Sequence, residues 1–117
     1  MGLDTYASRS PDDVKLTDED AQAFVDADIQ LCGGMFSGEG GSFRGKVYAT
    51  LILEITDESL YQQWIPPETV RQMHLKLAAF DVQRNVEVDD EDLVSLPDLI
   101  KYFKVCSERG LGLIGWW

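Results

Sequence analysis

Apolar positions along the chain fall into separable runs, and their spacing predicts most of the elements. Leu3 to Ser8 alternates weakly and contains Thr5 and Tyr6, which predicts a short first strand. Ser10-Pro11-Asp12-Asp13 reads as a turn. Thr17 then precedes Asp18-Glu19-Asp20, an N-cap followed by acids in the first turn, where the helix dipole favours negative charge. With Ala21, Phe24 and Val25 at helical spacing, this predicts a helix over 18–28. Val47 to Ile55 fits two periods. A strand would set Val47, Ala49, Leu51, Leu53 and Ile55 against Tyr48, Thr50, Ile52 and Glu54, whereas a helix puts Val47, Tyr48, Leu51, Ile52 and Ile55 on one face. The helix is favoured, over 43–56, with Ser42 as its cap.

Pro66-Pro67-Glu68 opens the next helix, whose stripe of Val70, Met73, His74, Leu77 and Phe80 carries it through residue 80. Gln83 to Asp92 is polar and acidic. Ser95-Leu96-Pro97-Asp98 starts a further helix with Leu99, Ile100, Phe103 and Cys106 inward and Gly110 as its C-cap. Leu111 to Trp117 can form a strand, and pairing it with Leu3–Ser8 would tie down both ends. The sum is an α+β fold of about four helices with a small two- or three-stranded sheet pairing the N- and C-terminal segments. At 117 residues it is read as one domain spanning 1–117, with a Gly-rich loop at 33–45.

Charge narrows the function more than composition does. Ten Lys and Arg face 21 Asp and Glu, giving −11 at pH 7. The excess lies at the two ends, with Asp4, Asp12, Asp13, Asp18, Glu19, Asp20, Asp26 and Asp28 in the first and Glu87, Asp89, Asp90, Glu91, Asp92, Asp98 and Glu108 in the last. Such a chain is repelled by phosphate backbones and anionic bilayers, so neither nucleic acid nor membrane is expected as a partner. No apolar run approaches the ~18 residues of a membrane helix. The opening residues lack a basic segment followed by an apolar one, and Tyr6 stands where a myristoylation signal needs Ser or Thr. The expected setting is the cytoplasm. There Cys32 and Cys106 read as small buried apolar residues rather than a disulfide.

Four constellations could carry chemistry. Gly40-Gly41-Ser42-Phe43-Arg44-Gly45-Lys46-Val47 fits G-x-x-x-x-G-K, but Val47 stands where a phosphate loop needs Ser or Thr for magnesium, so nucleotide hydrolysis is not expected. A weaker reading survives, in which Ser42, Arg44, Lys46 and His74 bind an anionic small molecule. His74 lies on an apolar stripe with no partner that would make it a general base, and a packed, hydrogen-bonded histidine is the simpler reading. Asp26-x-Asp28-x-Gln30 begins like a calcium loop, but Leu31 replaces the bend glycine and Ser37 the final Glu. The acids at 18–20 and 89–92 therefore read as a solvated, outward-facing surface. One histidine and two distant cysteines leave no zinc spacing, and neither metal nor cofactor is expected. Tyr61 and Trp64 read as interface anchors or core edges, with Trp64 packing over the start of the helix that follows it.

Two patches carry a resemblance. Met1-Gly2-Leu3-Asp4-Thr5-Tyr6-Ala7, and Gly41 to Tyr48 with Ser59-Leu60-Tyr61 and the Gly110–Trp117 ending, resemble small, uncharacterised bacterial and phage-associated proteins that begin M-G-L-D-x-Y. The resemblance implies a bacterial, cytoplasmic setting and a helix starting near Ser42, and it transfers no catalytic residue.

Taken together, these features point to a non-catalytic protein-binding module of inhibitor, antitoxin or immunity type for a basic partner. Asp89, Asp90, Glu91, Asp92, Tyr61 and Trp64 are the candidate contacts. The alternative is the anionic-ligand domain or weak enzyme built on Arg44, Lys46 and His74. A homodimer formed through the aromatic tail is the third reading.

Overall fold

The computed structural model describes residues 3–9, 17–27, 42–43, 45–83 and 96–116. Within them lie β1 (Asp4–Ser8), α1 (Asp18–Asp26), β2 (Ser42–Phe43), α2 (Gly45–Thr56), α3 (Pro67–Gln83), α4 (Leu96–Arg109) and β3 (Gly112–Trp116). The α+β architecture agrees with the sequence pattern, and the two chain ends pair as expected. β1 is the central strand of a three-stranded antiparallel sheet of order β2-β1-β3. Its register runs from Asp4 opposite Trp116 to Ser8 opposite Gly112.

The ambiguous 47–55 segment is helical. Tyr48, Leu51, Ile52 and Thr56 are buried along one face, while Leu53, which a strand would turn inward with Leu51, is 45% exposed. The start of this element differs from expectation. Ser42 and Phe43 form β2, opposite Tyr6 and Thr5, and the helix begins only at Gly45. A central strand must satisfy backbone groups on both edges, and two residues of β2 supply part of that pairing. The rest of the glycine-rich loop, with Arg44, lies outside the described residues, as do Cys32, Asp89–Asp92 and Trp117.

α3 and α4 pack on each other and form the base of the core. Val70, Met73 and Leu77 from one helix and Leu99, Tyr102, Phe103 and Cys106 from the other are fully buried. α4 ends in a Schellman motif: Gly110 has φ 68°, and the Leu111 N–H donates to the Cys106 carbonyl at 2.8 Å. This turn feeds the chain directly into β3.

The free edge of β3 is covered by the segment between α2 and α3. Ile65 and Leu113 exchange both backbone hydrogen bonds, at 2.7 and 2.9 Å, and the Gly115 N–H donates to the Gln62 carbonyl at 3.0 Å. An open edge is a template for unwanted pairing, and this cover removes it. The Trp64 ring lies against Gly112 of β3. A Cβ there would collide with Trp64 Cη2 and sit 2.5 Å from the Ile65 carbonyl oxygen.

Candidate functional site

Ionisable side chains converge on a buried carboxylate at the junction of β1, α1 and α4. Asp20 stands on the inner face of α1 with Ala23, Phe24 and Ala27, at helical spacing. Its side chain is fully buried. A carboxylate cannot be buried without donors, and here four reach it. Arg9, just past β1, grips it bidentately, with Nε on Oδ2 and Nη2 on Oδ1, both at 2.8 Å. Arg109, in the last turn of α4, donates Nε to Oδ1 at 2.5 Å. The Thr17 N–H donates to Oδ2 at 3.2 Å, and the Asp20 N–H donates back to Thr17 Oγ1 at the same distance. That reciprocal pair is a capping box with Asp in place of the usual Glu.

Burial alone would push the Asp20 carboxyl up. The hydrogen bonds from Arg9, Arg109 and Thr17 outweigh it and hold the group well below the usual carboxylate range. Arg9 in turn is raised, chiefly by its hydrogen bond to Asp20. A carboxylate offers about four lone-pair positions. Four donors occupy them, which leaves none for a metal ion or a proton in transit. The cluster is therefore suited to joining chain segments. Glu19, one residue earlier, is exposed and 3.8 Å from Arg109 Nη2.

This corrects one expectation. Asp18 and Glu19 face solvent, but Asp20 points inward and gathers two cations. Neither Arg9 nor Arg109 stood out in the sequence. The available signal was a carboxylate sharing a helix face with Phe24, four residues away, because an acid on an apolar stripe needs a cationic partner.

His74 is half-buried on α3 and faces α4. Desolvation lowers its tendency to protonate, and nearby Lys104 lowers it further against the opposing pull of Glu108. Lys104 and Glu108 are themselves paired at 4.0 Å. Of the other proposed ligand residues, Ser42 belongs to β2 and Lys46 to the first turn of α2. Tyr61 is exposed in the segment before α3, where its N–H donates to Ser59 Oγ at 3.0 Å. Trp64 is half-buried over Gly112.

Cys106 is free and fully buried, and burial pushes its thiol far up, which suppresses the thiolate. Tyr102 is likewise raised by burial, while the backbone of Ala7 hydrogen-bonds its oxygen. Among the described residues no group of three or more His, Cys, Asp or Glu side chains is placed to hold a metal ion. No helix there is long and apolar enough to cross a membrane.

No family model, curated protein or solved structure matches the chain.

Proposed function

We propose that the chain is a small acidic binding module that docks on a basic protein in the cytoplasm, in the manner of an inhibitor, antitoxin or immunity protein. What supports this reading is the way charge is distributed over the described side chains. Most of the cations are committed to internal partners. Arg9 and Arg109 serve Asp20, Lys76 Nζ donates to the Thr56 carbonyl at 3.0 Å, Lys101 lies 3.9 Å from Asp98, and Lys104 pairs with Glu108. Arg71 is the exception. By contrast Asp18, Glu54, Asp57 and Glu68 are exposed and make no ion pair among the described residues.

The Arg9–Asp20–Arg109 cluster carries one net positive charge, so the rest of the chain is one unit more negative than the −11 of the whole. Opposite charge on a partner would accelerate encounter and set orientation, with screening at a Debye length of about 8 Å in physiological salt. Asp89–Asp92 would add to the negative charge that draws the partner in, and the exposed Tyr61 would supply an aromatic anchor.

The test is capture from lysate at low ionic strength, followed by Kd measurement on the purified partner across a salt series. The expected partner is basic and loses affinity steeply as salt rises. The fourfold variant Asp18→Asn, Glu54→Gln, Asp57→Asn, Glu68→Gln should bind at least about tenfold more weakly, given double-mutant coupling energies above 1 kcal/mol for close interfacial charges. A partner bound equally well at low and high salt would refute the reading.

A further inference from the structure

We infer that α1 is a releasable helix and that Asp20 is the latch that holds it. α1 has nine residues, Asp18–Asp26, shorter than the ~12–15 that an isolated helix needs to persist in water. Its packing falls chiefly on α4. Among its described side chains one large apolar group is buried, Phe24, whose ring stands 5.1 Å from that of Tyr102. Asp18, Glu19, Gln22 and Asp26 all face solvent. Ala23 and Ala27 pack beside Phe24 against the core, and among the described side chains the polar attachment centres on Asp20, with the exposed Glu19 3.8 Å from Arg109.

That carboxylate acts at two levels. Through Thr17 it closes the capping box that starts the helix, and through Arg9 and Arg109 it ties the helix to the end of β1 and the end of α4. Local helix formation and docking therefore depend on the same two oxygens. Losing the tertiary bonds removes the charged partners that the cap has among the described residues, and losing the cap misplaces the carboxylate. Such coupling makes α1 a unit that opens and closes as a whole. The rest of the fold has its own fastenings in the α3–α4 core, the β1–β3 ladder and the Ile65–Leu113 cover. The released state would uncover the Tyr102 ring face that Phe24 now occupies.

Native-state hydrogen exchange of the whole chain, resolved to peptides by mass spectrometry in increasing sub-denaturing urea, tests this. In the wild type, amides of 17–27 should open at least tenfold more often than those of α4, and should lose protection at urea concentrations that leave α3 and α4 intact. Asp20→Asn should raise exchange in 17–27 by a further tenfold or more, still at urea concentrations that leave α3 and α4 intact. Phe24→Ala should affect the same segment. Loss of protection by α1 and α4 together in the wild type would overturn the inference. So would an Asp20→Asn chain in which 17–27 exchanges no faster than in the wild type. The wild-type experiment decides even if the variant fails to fold.

Discussion

Asp20 and Arg109 lie 89 positions apart in the chain, yet the guanidinium Nε donates to the carboxylate Oδ1 at 2.5 Å. The contact joins the start of the first helix to the end of the last. With Arg9 on the same carboxylate, it sets a charged cluster at the edge of the core, the carboxylate buried and both guanidinium groups partly exposed. A buried ion group of this kind contributes little relative to a well-packed apolar one, but it is costly to break from one side.

Replacing Asp20 by Asn should therefore destabilise the chain by about 1–3 kcal/mol, the range for a buried hydrogen-bonded group that loses its partners, since both arginines can turn to solvent. The effect depends on pH with a defined sign. The folded carboxyl lies below its unfolded value, so its stabilisation is complete above the ordinary carboxylate pKa of about 4 and fades as pH falls through and below it. Urea midpoints of wild type and variant from pH 7 to pH 2 should differ by a constant amount down to about pH 5 and then converge. A difference that stays constant to pH 2 would show that Asp20 gains nothing from its charge.

Gly112→Ala should cost about 3 kcal/mol, at the upper end for overpacking, because the new methyl meets both the Trp64 ring and the Ile65 carbonyl oxygen. The ring could turn aside, but the backbone oxygen belongs to the bridge that covers β3. Thermal unfolding followed by far-UV circular dichroism would register the loss.

Asp57 ends α2 in the left-handed region, φ 61°, with its N–H on the Leu53 carbonyl at 2.9 Å. A non-glycine residue pays a steric penalty there, and a negative charge opposes the helix dipole. Asp57→Gly should stabilise the chain by about 0.5–1 kcal/mol. Gly110, at φ 68°, should show the reverse, with Ala costing about 1 kcal/mol although nothing lies within 4 Å of the added methyl. Chemical denaturation of the two variants side by side separates backbone conformation from packing.

His74 should titrate below the ordinary histidine value of about 6.5, because burial and then Lys104 disfavour its charged form. Folding therefore loses stability as pH falls through that ordinary value, where the unfolded chain takes up a proton that the folded one resists. A proton NMR titration of the single imidazole measures the midpoint directly. Lys104→Gln should move it upward, and no movement would place the cause in desolvation alone.

Much of the fold was legible because the elements are locally consistent. The stripe of Val70, Met73 and Leu77, the Pro66-Pro67-Glu68 start and the Gly110 stop each act within a few residues, and each element they mark is present. β2 was missed because two residues carry no periodicity. Ser42 and Phe43 are strand only because β1 needs a partner on that edge. The charged cluster was missed for a related reason. Asp20 sits in a run of three acids that looks uniformly solvated, and only helix phase separates it from Asp18 and Glu19. Its partners come from a strand end and from the last turn of another helix, a juxtaposition created by tertiary structure. The exposed position of Tyr61 and the placement of Trp64 over Gly112 are tertiary facts of the same sort.

A double-mutant cycle on Asp20 and Arg109 tests the central structural claim most directly. Urea unfolding of the wild type, Asp20→Asn, Arg109→Gln and the double variant yields the coupling energy between the two side chains. Side chains sharing one hydrogen-bonded network should couple by more than about 1 kcal/mol, so the double variant should be less impaired than the sum of the single ones. Additive losses, within about 0.3 kcal/mol, would mean that the two residues do not act as one latch.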